Sequence, residues 1–169
     1  MRLQLTRRPL DILLQTAVCL ALAQISTSRA ETFSAIESKP ISELWLNPGL
    51  ISYHLKHDNK RNDKNYGIGA EYRYSTASSV VLGVFNNSFK ETSRYVGWCW
   101  QPLGLGPLRV GAAVGAINGY SEHRNGAWFP ALIPTASFEY NYIGANLMLV
   151  PPAVKGTGAI SLQLRFKVL

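Results

Sequence analysis

The feature that most constrains this chain is a repeat of two. From residue 50 to residue 168, short stretches alternate apolar side chains with polar or very small ones, and Gly, Pro, Asn and Ser separate the stretches. A helix repeats every 3.6 residues, so strict alternation is the signature of strands whose two faces meet different surroundings. In 66–75, Ile68, Ala70, Tyr72 and Tyr74 oppose Gly69, Glu71 and Arg73; in 158–168, Ile160, Leu162, Leu164, Phe166 and Val168 oppose Ser161, Gln163, Arg165 and Lys167. Counting such stretches predicts eight strands, at 50–57, 66–75, 79–86, 94–101, 108–117, 129–139, 142–150 and 158–168. The expected fold class is all-β.

The N-terminus indicates where such a chain works. Arg2, Arg7 and Arg8 precede an apolar run at 12–25, and Ser28-Arg29-Ala30 carries small residues where a signal peptidase reads. Residues 1–30 are therefore expected to be a removable signal peptide. The apolar run is shorter than the ~18–20 residues a membrane-crossing helix needs, and no longer one follows. Cleavage removes four arginines and one aspartate, which lowers the net charge from +7 to about +4. An exported, mildly basic chain is not expected to meet nucleic acid; it is suited to anionic, phosphorylated lipid. Val18 before Cys19 is too large for a lipoprotein signal, and Cys99 then has no partner for a disulfide.

An export signal, an even strand count, aromatic residues near strand ends and a chain that finishes inside its last strand together describe a small outer-membrane barrel. A water-soluble barrel or sandwich has the same period with the faces reversed. Loop lengths favour the membrane barrel, because the connections after the first, third, fifth and seventh strands are longer than those between. The expected layout is signal peptide 1–30, an amphipathic N-terminal segment 31–47, and an eight-stranded antiparallel transmembrane barrel over 48–169. Within 33–46 the apolar residues Ile36, Ile41, Leu44, Trp45 and Leu46 suit a short surface helix, although Pro40 leaves a broken helix or an extended segment open. Trp45, Trp98, Trp100 and Trp128 are expected to anchor the interfaces. Lys56, Lys60, Arg61, Lys64, Lys90, Arg94 and Arg124 are expected to gather at the outward rim, facing lipid phosphates.

No soluble-enzyme motif is present, and the Gly67-x-Gly69 pair is too weak to mark a nucleotide site. His54 and His57 fall on opposite faces of a strand, so no metal is expected, nor any cofactor.

Several blocks occur in an order and spacing that resembles the outer-membrane lipid A palmitoyltransferases. They are Ile51-Ser52-Tyr53-His54, Gly67-Ile68-Gly69, Phe85-Asn86-Asn87-Ser88-Phe89, Trp100-Gln101-Pro102-Leu103, the run 130–137, Val150-Pro151 and Leu164-Arg165-Phe166. The resemblance implies an acyl transfer from phospholipid to lipid A of lipopolysaccharide, in the outer membrane of a Gram-negative bacterium, by a monomeric barrel. It also implies catalytic roles for His54 and Ser88, with Asn87 where the family has Asp. Pro130, Pro134 and Pro151 match prolines that weaken strand pairing and admit a lipid tail sideways. Tyr95 matches the glycine that sets the floor of the family's acyl pocket, which implies chains shorter than palmitate, or no chain at all. The rival reading is a non-catalytic lipid-binding or structural barrel of the same ancestry, because an amide at position 87 supplies no negative charge.

Overall fold

The protein is described by a computed structural model covering residues 33–55, 61–152 and 158–169. The expected signal peptide and Lys56, His57 and Lys60 lie outside the described residues. A two-residue strand, β1 (Ser34–Ala35), precedes eight longer ones: β2 (Pro40–His54), β3 (Lys64–Ser75), β4 (Ser78–Asn86), β5 (Thr92–Leu105), β6 (Leu108–Ile117), β7 (Phe129–Tyr140), β8 (Ile143–Val150) and β9 (Ala159–Lys167). Each pairs antiparallel with the next from β2 to β9, and β2 pairs with β9, so the sheet closes into an eight-stranded barrel. Two-residue turns at 76–77, 106–107 and 141–142 lie at one end, and the four longer connections lie at the other.

The faces are sorted as the alternation requires. Tyr53, Ile68, Leu82, Val96, Leu132, Leu149, Leu162 and Leu164 point outward and are exposed, whereas Ser52, His54, Glu71, Arg73, Gln101, Ser137, Gln163 and Arg165 are buried in the lumen. Only Trp45, Ala77, Phe85 and Ala159 are buried among the described apolar residues. Water would penalise so continuous an apolar exterior, so this sidedness is consistent with an outer-membrane barrel and opposite to that of a soluble one.

The first strand departs from expectation. Residues 40–54 run as a single strand, so a surface helix over 33–46 does not form; the extended alternative allowed by Pro40 is the conformation adopted. The apparent break in the pattern is a bulge at Pro48-Gly49, where the register with β3 shifts between Asn47 and Gly49. Gly49 has φ +101, and a Cβ there would sit 2.2 Å from the Asn65 carbonyl oxygen. Against β9 the same stretch of β2 carries one extra residue, four between Leu46 and Ile51 facing three between Phe166 and Leu162, and the parity of the strand reverses there. Above the bulge the even positions Ser52 and His54 face the lumen; below it the odd positions Glu43, Trp45 and Asn47 do. Trp45 is therefore no interfacial anchor. It is 1% exposed, donates to Glu43 Oε2 at 3.1 Å and lies beneath the Arg165 guanidinium at 4.6 Å.

Below Trp45 the lumen at the turn end is filled by charge. Arg73 bonds Glu43 and Glu139, Arg109 and Arg165 bond Glu139, Arg165 also bonds Glu71, and Lys167 bonds Glu43. Outside this layer β1 pairs with Leu103 and Gly104 of β5. The segment after it holds the 76–77 turn through Thr76, whose hydroxyl donates to the Glu37 carbonyl and accepts the Lys39 N–H.

Candidate functional site

At the other end, three connections bring polar side chains to the mouth. His54 is the last residue of β2, and the hairpin to β3 returns with Asp63 directly before Lys64. Ile51 pairs with Lys64, and Ser52 N–H donates to the Asp63 carbonyl at 2.8 Å. Asp63 is thus opposite Ser52 and diagonal to His54 on the lumen face. Ser88 follows β4, and its carbonyl accepts the Asn62 N–H at 2.9 Å, which ties the two loops together.

These positions form a line of hydrogen bonds. His54 Nδ1 is 2.8 Å from Asp63 Oδ1, and His54 Nε2 is 2.9 Å from Ser88 Oγ. His54 is 7% exposed, whereas the Asp63 side chain is 62% exposed at the rim. Of the residues expected to act together, His54 and Ser88 do meet.

Asn87 makes other contacts. It is fully buried and makes a compact turn: its Oδ1 accepts the N–H of Phe89 at 2.8 Å and of Glu91 at 3.1 Å. Its Nδ2 donates to Ser93 Oγ at 2.9 Å and to the Gly119 carbonyl at 2.8 Å. Both amide hydrogens and the amide oxygen are committed to the loops around it, and none of these bonds reaches His54 or the Ser88 hydroxyl. The carboxylate beside His54 is Asp63, which the sequence reading did not single out. The register of the first hairpin was the available signal.

Two chambers meet at Ser88. The inner one, about 180 Å³, runs down the lumen between Phe85, Tyr95, Ala113, Ile117, Ile133 and Met148. At its far end is a chain of polar groups: Gln101 Nε2 donates to Thr135 and Ser137, Ser137 donates to Asn146, and Asn146 donates to Gln163. Tyr95 faces inward, as expected, and crosses the lumen over β4 and β3. A Cβ at Gly69 would lie 2.2 Å from its hydroxyl, and one at Gly83 would lie 2.6 Å from it, so both positions must be bare for the ring to fit.

The outer chamber, about 190 Å³, is bounded by His54, Arg61, Phe89, His123, Pro130, Leu132 and Pro151 as well as Ser88. It lies beside a gap in the wall. β7 pairs with β6 along 129–138, but among the described residues its pairing with β8 begins only at Thr135, the residue after Pro134. Pro130 and Pro134 are within β7 and Pro151 directly follows β8, so all three prolines border this unpaired stretch.

The 118–128 connection roofs the outer chamber. Tyr120 packs edge-on against Phe89 and Phe129, and burial pushes its phenol up to about 12. The roof is fastened by Glu91, which accepts Ser121 N–H at 2.9 Å and Ser121 Oγ at 2.5 Å. Those bonds hold the Glu91 carboxyl below its ordinary value.

No protein-family model matches the chain, and no curated protein matches it either.

Proposed function

We propose that the chain, after loss of its signal peptide, works as a monomer in the outer membrane of a Gram-negative bacterium and transfers an acyl chain from a phospholipid to lipid A. The observation that carries this reading is the Ser88 hydroxyl, bonded to His54 where a lumen chamber meets a second chamber beside a wall gap. An apolar tube suits an alkyl chain, and the prolines around the gap leave few ladder bonds to hinder its sideways entry. An ester carbonyl of that lipid then rests near Ser88. His54 takes the proton from the attacking hydroxyl, a contribution of about 10²–10⁴ in rate for general-base catalysis.

Tyr95 sets the usable depth of the inner chamber, so donors with chains shorter than palmitate are preferred. The basic rim, including Arg61, Lys64, Lys90, Arg94 and Arg124, faces the phosphates of lipopolysaccharide.

Mass spectrometry of lipid A from cells with and without the protein tests the reading. The expected result is a lipid A species heavier by one acyl group, absent from His54→Ala and Ser88→Ala cells. Unchanged lipid A, together with a folded barrel that retains lipid, supports the non-catalytic reading instead.

A further inference from the structure

We infer that the acyl chain passes through an ester on Ser88 Oγ, with Asp63 as the carboxylate that positions His54 for this step. The inference rests on the acyl-transfer reading and adds the covalent intermediate and the positioning residue.

The polarity of the hydrogen bonds carries it. A carboxylate only accepts, so at 2.8 Å from Asp63 Oδ1 the proton of a neutral His54 belongs on Nδ1. Nε2 then carries the lone pair, and at 2.9 Å it must accept from the Ser88 hydroxyl. Ser88 is thereby held in the arrangement of an activated serine, with base and orienting carboxylate in line. The loops keep this line in place: the Asp63 carbonyl is tied to Ser52 N–H at 2.8 Å and the Ser88 carbonyl to Asn62 N–H at 2.9 Å. Asn62 Nδ2 adds bonds to Asn86 Oδ1 at 3.0 Å and to the Asn87 carbonyl at 3.2 Å.

The chemistry balances without any further reactant. Ser88 Oγ attacks the ester carbonyl carbon of a phospholipid and its proton passes to His54 Nε2. The carbon–oxygen bond to glycerol breaks, the leaving oxygen takes that proton, and the acyl group remains on Ser88. A hydroxyl of the acceptor lipid then gives its proton to Nε2 and attacks the acyl-Ser88 carbonyl, and Ser88 Oγ recovers the proton as it leaves. Asp63 stays ionised throughout.

The experiment uses the full processed chain, folded in detergent micelles and treated with a long-chain alkyl fluorophosphonate, read by intact mass and peptide mapping. Gel mobility with and without boiling checks that each variant is a closed barrel. One adduct per chain is expected, on Ser88, and none in Ser88→Ala or His54→Ala. Asp63→Ala should slow labelling about 10- to 100-fold, less than the about 10⁴ lost with a triad carboxylate, because this one is solvated. Asp63→Glu should recover much of the rate. Nitrogen-15 spectra of the neutral protein should place the His54 proton on Nδ1 and show a mixture of tautomers in Asp63→Ala. Undiminished labelling in folded Asp63→Ala, or an adduct elsewhere, overturns the inference. Labelling of Ser88 without change in lipid A overturns the proposed acceptor and leaves the relay standing; acyl transfer by a protein that Ser88 reagents never modify overturns the covalent step and leaves the transfer standing.

Discussion

The two ends of the lumen are built on the same eight strands and solve opposite problems. At the turn end, Glu43, Glu71, Arg73, Arg109, Glu139, Arg165 and Lys167 bond one another around the buried Trp45. At the mouth, the charged groups lie on the exposed rim, His54 is bonded in line between Asp63 and Ser88, and space remains above and beside Ser88. A filled lumen fixes the barrel and leaves no room for a ligand, whereas a hollow one gives up packing for access. Under the proposed function, that difference gives stability to one end and chemistry to the other.

The largest break in that division should come from the filled end. Glu139 accepts from Arg73, Arg109 and Arg165. Removing one partner from a buried ionic network leaves uncompensated charge and costs about 3–5 kcal/mol. Urea unfolding in micelles should place Glu139→Gln that far below the wild type.

Next in size is the contrast between the barrel's two faces. Leu162 is exposed on the outside and Gln163 lines the inner chamber. Leu162→Arg should cost about 2–4 kcal/mol in a bilayer, and Gln163→Arg, which has polar neighbours and a cavity to enter, should cost less. Equal losses in a lipid-vesicle folding assay contradict the register.

A smaller effect is expected at the loop beneath the mouth. Asn87→Asp places a carboxylate against the Gly119 carbonyl and removes the donor that now satisfies it. The expected cost is about 1–3 kcal/mol, visible as faster amide exchange around Gly119. No gain in acyl transfer is expected, because position 87 does not reach His54.

The smallest is the pH response of the roof. The Glu91 carboxyl is lowered from 4.5 by Ser121, so its contribution is complete above that value and is lost as pH falls through the lowered folded-state value. Ser121 amide exchange should accelerate there while the strands stay protected. An unchanged Ser121 in acid places the fastening elsewhere.

Most of the barrel is legible in the amino-acid order because each strand separates two environments, and alternation such as that of Leu162, Leu164 and Phe166 against Gln163 and Arg165 records it. The start of the first strand is hidden because the bulge at Pro48-Gly49 reverses its parity, so Trp45 and His54 are both inward although one position is odd and the other even. The site was partly legible. His54 and Ser88 stand out in the resemblance, whereas Asp63 becomes visible only once the Ile51 to Lys64 register aligns the hairpin. Asn87 stands beside the serine where the resemblance has an acid, and its four side-chain hydrogen bonds, invisible in the sequence, run to Phe89, Glu91, Ser93 and Gly119.

The most direct test of the division between the ends is to measure acyl transfer and the urea midpoint on the same preparations of Ser88→Ala and Glu139→Gln. Ser88→Ala should lose transfer and keep its midpoint, while Glu139→Gln should lose stability and still transfer acyl chains in the urea-free micelles where it remains folded. If Ser88→Ala unfolds as readily as Glu139→Gln, or Glu139→Gln is folded yet inactive, the mouth and the ionic layer are one unit and the division is wrong.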